Sequence, residues 1–218
     1  MSRPALIALV LVACKARDPD VADAAALALE GFEGEIDLAG DIGYVFGVAD
    51  SGTHTELKVE IKGDNIRVER DDARWVTIVD ATAKKSWTLD TATRTYVADR
   101  LGEPAPAAKD AKRTGSANVA GIPCEVWEVD DALGHRTVCL APGLRKTFMG
   151  RAEPTWSSAS DDESLFAKGF PLRDVTIAAG QTMRRVEATR VVRRPISDAD
   201  FVTPAGYVER PPLNLRGL

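Results

Sequence analysis

Residues 55–62 alternate polar and apolar side chains without a break, Thr55-Glu56-Leu57-Lys58-Val59-Glu60-Ile61-Lys62. A strand sends successive side chains to opposite faces, so this run is a strand with one wet and one buried face. Gly63-Asp64-Asn65 has turn chemistry and Ile66-Arg67-Val68-Glu69-Arg70 alternates again, which predicts a hairpin. Trp75 to Val79 is a further strand, apolar on both faces. Asp80-Ala81-Thr82-Ala83-Lys84 then turns the chain into Ser86-Trp87-Thr88-Leu89. Its near-copy ten residues on, Asp90-Thr91-Ala92-Thr93-Arg94, leads into Thr95-Tyr96-Val97. Connections this short leave no room for crossover helices, so the strands form an antiparallel meander.

With 218 residues the chain is long enough for one well-buried domain and short for two. Its 28 Lys+Arg against 33 Asp+Glu give a net charge of −5, which argues against a nucleic-acid binder. A hydrophobic share of 44% fits a globular domain rather than a disordered chain.

Outside the meander the signals are more local. Lys15 to Asp23 reads as a tether, and Ala- and Leu-rich Val21 to Glu30 as a short helix. Gly102 to Lys112, with Pro104 and Pro106, is a loop. Pro142 to Lys168 is irregular, and Ser157 to Glu163 can cap a short helix at Ser164 to Lys168. Asp174 to Ile177 and Met183 to Val192 predict another hairpin. Ser197-Asp198-Ala199-Asp200 turns into Phe201 before a Pro-containing tail.

Cys124 and Cys139 flank two segments of strand character around Asp130-Asp131-Ala132-Leu133-Gly134. If this hairpin folds about its midpoint, between Asp131 and Ala132, the two cysteines face each other across the strands and their sulfurs come within bonding distance. An oxidising compartment favours a structural disulfide there over a metal pair or a reactive thiol. No His neighbours the cysteines in the manner of a zinc site.

Few residues fall in patterns that carry chemistry. The two histidines, His54 and His135, lie in or beside predicted turns and belong to no catalytic or metal-binding motif. Gly47 to Gly52 does not open a helix as a phosphate loop would, and Asp161-Asp162-Glu163 lacks the spacing of a calcium loop. Arg184, Arg185, Arg190, Arg193 and Arg194 form the one basic concentration, either a surface for anionic headgroups or a wet strand face balanced by nearby acids. No catalytic residue, metal or cofactor is assigned, and a non-enzyme is expected.

The N-terminus carries a family resemblance. Met1-Ser2-Arg3 supplies a positive end, and Ala5 to Val12 is an apolar run too short to span a bilayer, the layout of a secretory signal. Leu11-Val12-Ala13-Cys14 then resembles the lipobox of bacterial lipoproteins. The resemblance implies a signal peptide over 1–13, lipid on Cys14, and a membrane as partner through that lipid. Two or more acyl chains, at about 0.8 kcal/mol per buried CH₂, make a stable anchor. Lys15 after the cysteine, by the same resemblance, favours the outer membrane facing the periplasm over the inner membrane. The layout is then a lipidated tether with its helix over 14–30, one domain over 31–210 and a tail over 211–218.

The body resembles the bacterial exported family DUF4412 and, more distantly, the lipoprotein-carrier folds of the LolA and LolB type. The residues that carry this are Ile61-Lys62-Gly63-Asp64-Asn65-Ile66-Arg67, the Val79 to Tyr96 meander, Ala120-Gly121-Ile122-Pro123-Cys124, Gly169-Phe170-Pro171-Leu172, and Phe201-Val202-Thr203-Pro204-Ala205-Gly206-Tyr207. The resemblance implies a β-dominated α+β fold: a curved antiparallel sheet, or half-barrel, with short helices across its open face. In the carrier folds the hollow holds acyl chains. Trp75, Trp87, Tyr96 and Trp127 are candidates to line such a hollow, or to be ordinary core. Two functions follow as expectations. The first is an envelope lipoprotein binding a lipid or acyl chain. The second is one with a filled core that contacts another envelope protein.

Overall fold

The computed structural model describes residues 31–45, 48–70, 74–101, 110–131, 134–144, 165 and 168–211. The signal, Cys14, the tether and its expected helix therefore lie outside the described residues. So do the loop at 102–109, most of 145–167 and the tail from 212.

Among the described residues, twelve strands form one sheet. They are β1 (Gly34–Val45), β2 (Val48–Lys62), β3 (Asn65–Arg70), β4 (Trp75–Asp80), β5 (Lys85–Asp90), β6 (Thr95–Arg100), β7 (Lys112–Val119), β8 (Ile122–Asp131), β9 (Gly134–Ala141), β10 (Phe170–Ala178), β11 (Gln181–Arg193) and β12 (Val208–Glu209). Their order across the sheet is β12-β6-β5-β4-β3-β2-β1-β11-β10-β9-β8-β7. Every neighbouring pair is antiparallel except β12 with β6. The predicted hairpins are present, the last lengthened to β10–β11. Among the described residues the helical elements are the one-turn 3-10 segments Pro142–Leu144 and Asp198–Phe201, with Leu165 in helical conformation. The Ser197 side chain caps the second, accepting from the Ala199 N–H at 3.2 Å.

The repeated turns of the sequence are repeated in structure. The Asp80 carboxylate accepts from Ala83 N at 2.7 Å, and the Asp90 carboxylate from Ala92 N and Thr93 N at 3.0 and 3.3 Å. Each turn closes on a left-handed residue, Lys84 and Arg94, both at φ 51°. Ala120-Gly121 and Ala179-Gly180 each place two residues at positive φ between paired strands, the arrangement whose twist matches a two-residue hairpin.

The sheet bends into an open half-barrel. A flat sheet would hold strands four steps apart at roughly 19 Å. Yet β7 comes within 8 Å of β11, four strands away. Glycine makes close approach possible at the centre of the sheet. A Cβ on Gly40 would collide with the Arg185 carbonyl oxygen, and one on Gly34 with that of Val192. We expect Gly40→Ala to lower stability by about 1–3 kcal/mol, because backbone rather than a flexible side chain must give way. A urea unfolding midpoint unchanged from wild type would refute that contact.

Cys124 and Cys139 form the expected disulfide, with Cα atoms 5.4 Å apart. The pairing differs from the symmetric fold. Val126 stands opposite Cys139 and Asp131 opposite Gly134, so the register is displaced by two residues and the bridge runs diagonally. The reason is that the loop is tighter than the five-residue turn read from the sequence. A shift of two keeps every side chain on its face, which is why the cysteines still meet.

Burial divides the sheet. The inner face carries Ile36 and Leu38 of β1, Leu57, Val59 and Ile61 of β2, Ile66 and Val68 of β3 and Val138 of β9 in one cluster. A second cluster lies on the outer face of β4–β6, built from Val76, Ile78 and Leu89 beneath Ile196 and Phe201.

Candidate functional site: the concave face

The inner face is packed hard against atoms of the chain itself. Ile36, Val59, Ile61, Val138 and Leu140 have 0% of their surface exposed, which leaves no water-sized gap beside them. Within this apolar wall sits the Arg136–Asp174 ion pair. Arg136 Nε and Nη2 donate to the two carboxylate oxygens of Asp174 at 2.8 and 2.6 Å. The two side chains are only 4% and 2% exposed. The fork-on-fork geometry holds both partners in fixed orientation. The sequence reading missed this pair. Its signal was phase: Arg136 alternates with Val138 and Leu140, so it had to share their buried face.

The four candidate aromatics separate. Trp127 stands opposite Val138 on the inner face; the Lys168 ammonium lies 4.4 Å from its ring, and its Nε1 donates to Glu125 at 3.3 Å. Trp75 is in phase with Thr77, which pairs with inner-face Val68, so it too belongs to the concave side. There it is 38% exposed, with the Arg74 guanidinium 5.1 Å from its ring. Trp87 and Tyr96 pair with Ile78 and Leu89 and pack on the second cluster, so the structure places them on the opposite, outer face. Alternation in a six-residue strand gives two faces but not which one is inside. Both faces of β4 are apolar, so the sequence did not mark the choice.

Charged residues occupy the outer face of β1–β3 and β10–β11. Glu35 and Glu60 stand opposite each other with their carboxylates 8% and 7% exposed. Lys58 lies 3.2 and 3.1 Å from them, and Arg194 2.8 Å from each. Arg190 bonds both Glu35 and Asp37. Burial raises the Glu35 pKa, but the hydrogen bonds and charges of Arg194 and Lys58 outweigh it and hold the carboxyl below its ordinary value. Arg173 likewise lowers Glu187, its partner at 2.6 Å. Arg190 and Arg194 of the basic concentration are thus balanced by acids on neighbouring strands, and Arg185 by Glu187 on its own strand. A depression of about 400 Å³ among these strands is bounded by Asp37, Glu56, Lys58, Glu69 and Thr189, together with Ala39, Leu38, Leu57 and Arg70. Its rim is polar, unlike an acyl-chain site.

His54 and His135 are exposed, but on strands β2 and β9 rather than in loops, each within 3.3 Å of an aspartate, Asp41 and Asp130. Hydrogen bonding to Asp130 raises the His135 pKa. Among the described residues no three His, Cys, Asp or Glu side chains are placed to hold a metal ion. No described helix is long and apolar enough to cross a membrane.

Comparison with known proteins adds three findings. No curated protein matches the chain. Among solved structures, an uncharacterized conserved protein from Thermus thermophilus shares the fold. It aligns at TM-score 0.54 and 10% identity over 89% of this chain and 99% of that chain. PNGF-II aligns at TM-score 0.52 and 12% identity over 85% of this chain, which corresponds to 32% of the PNGF-II chain. A domain described as an outer membrane lipoprotein-sorting protein, from Vibrio parahaemolyticus, aligns at TM-score 0.33 and 11% identity over 83% of this chain and 94% of that chain. The family model described as "Domain of unknown function (DUF4412)" matches residues 32–207, nearly the whole described body. The chain belongs to the DUF4412 family.

Proposed function

We propose that this protein is a cell-envelope lipoprotein, anchored by lipid on Cys14, that acts through its surface on another envelope component and does not carry a ligand inside its sheet. One observation carries the reading: inner-face residues from β1, β2 and β9 are fully buried, so no acyl chain fits beside them without displacing the chain's own atoms. Catalysis has no part in the reading. The anchor rests on the signal-like start and on Leu11-Val12-Ala13-Cys14, and Lys15 favours the outer membrane.

A second reading keeps the lipid or acyl ligand. It is favoured by Trp75, which stands on the concave side and keeps 38% of its surface in solvent. Native mass spectrometry of the soluble form lacking residues 1–14 separates the two. The first reading expects the bare mass of the chain, before and after incubation with phospholipid. Stoichiometric retained lipid, lost on Trp75→Ala, would overturn it in favour of the second. For the anchor, Cys14→Ala in the full chain should move the protein from the membrane fraction to the soluble fraction. Retention in the membrane would refute lipid attachment.

A further inference from the structure

The outer face changes character along the sheet. Over β1–β3 it is a lattice of ion pairs, but over β4–β6 it presents Val76, Ile78, Trp87, Leu89 and Tyr96. Residues 194–211 cover that apolar stretch. After β11 the chain lays Ile196 and Phe201, 2% and 6% exposed, onto it. It then adds β12 in parallel to the β6 edge. Val208 N donates to Arg94 O at 3.0 Å and Arg210 N to Tyr96 O at 2.8 Å. An open sheet edge beside apolar pockets is how folded domains take an extended peptide.

From Val202 on, the resident segment is lightly held. Ile196 and Phe201 are buried and Tyr207 packs partly buried on the same cluster, whereas Val202 and Val208 are 57% and 64% exposed. The segment's polar clamps lie in its first half: Arg194 bonds Glu35 and Glu60, Ile196 N donates to the Glu33 carboxylate at 2.7 Å, Lys62 meets Asp198 at 2.7 Å and donates to the Ile196 carbonyl at 2.8 Å, and Arg67 donates to the Asp200 carbonyl at 3.4 Å. Few buried contacts and many exposed ones mark a segment that opens before the rest of the fold.

We propose that the β6 edge and the apolar outer face of β4–β6 form a strand-addition site. At rest the chain's own residues 194–211 occupy it, and it can take the same segment from a second copy. The second copy is the fitting occupant because it brings every complementary feature together: Ile196 and Phe201 for the apolar face, Asp198 for Lys62, and Glu209, whose carboxylate accepts from the Tyr96 hydroxyl at 3.3 Å. Exchange of the same element between identical chains needs no new contacts.

The test uses the soluble chain and a fluorescein-labelled peptide of residues 194–211. Saturable binding is expected, and it should weaken at least about tenfold when a Thr95→Cys/Val208→Cys disulfide locks β12 to its register partner. Reduction of the engineered bond in the same double variant should restore binding. A peptide carrying Phe201→Ala should fail to bind. Independently of any variant, the Val208 and Arg210 amides of the wild-type chain should exchange hydrogen at least about 100-fold faster than those of central β2. Equal protection in β12 and β2, absent peptide binding, or equal binding by locked and unlocked chains would each overturn the proposal.

Discussion

Asp174→Ala should cost about 3–5 kcal/mol of unfolding free energy, among the largest losses any single substitution produces in this chain. The carboxylate accepts both hydrogen bonds from Arg136 inside a wall of Val129, Val138 and Val186. Removing it strips this counter-charge from a guanidinium that is 4% exposed. Arginine as a residue type keeps its charge at neutral pH, so the penalty is not relieved there. Replacing both partners by apolar residues, Arg136→Met with Asp174→Leu, should recover most of the loss, because neither charge is then buried in the wall. Urea titration of the soluble chain measures all three proteins. A loss under about 1 kcal/mol for Asp174→Ala would mean that water reaches the pair. The packed inner face, and the surface-acting role argued from it, would then fall together.

The inner face also shows what a single sequence can and cannot convey. Alternation in residues 55–62 located β2 and its buried side, because its apolar positions are β-branched or leucine and the intervening ones from Glu56 on are charged. The paired Asp turns located β4, β5 and β6, since the same kind of side-chain-to-backbone bond forms in each. Two things stayed hidden for a common reason. The assignment of Trp87 and Tyr96 to the outer face depends on residues 196–201 packing over them, one hundred or more positions away in sequence. The Arg136–Asp174 pair joins strands separated by the irregular 142–168 stretch. Both arise from contacts between distant segments, and local periodicity carries no information about which distant segment covers a face. The edge strand β12 is hidden in another way, because two residues are too few for any alternation to register.

Removing the Cys124–Cys139 bridge should cost about 3 kcal/mol, the chain-entropy expectation for a loop of roughly 15 residues. The paired cysteines are separated by 15 positions and lie buried, at 3% and 2% exposure. Replacement by alanine at both positions is the cleaner test, since serine would leave hydroxyls in an apolar cluster and add a desolvation penalty unrelated to the crosslink. Reduction of the wild-type protein and the double alanine variant should shift the urea midpoint in the same direction by similar amounts. The bridge contributes more than entropy here. Because the hairpin pairs with Val126 rather than Cys124 opposite Cys139, a slip by two residues would keep both faces apolar and polar as they are, so side-chain pattern alone resists it weakly. Cross-linking the diagonal excludes a slip that would carry Cys124 farther from Cys139 and move Trp127 along the same face, away from its place opposite Val138. Loss of the bridge should therefore also raise the Trp127 contribution to solvent-quenched fluorescence before global unfolding. Coincident loss of fluorescence and secondary structure, at an unshifted midpoint, would show that the β8–β9 pairing holds its register without the crosslink.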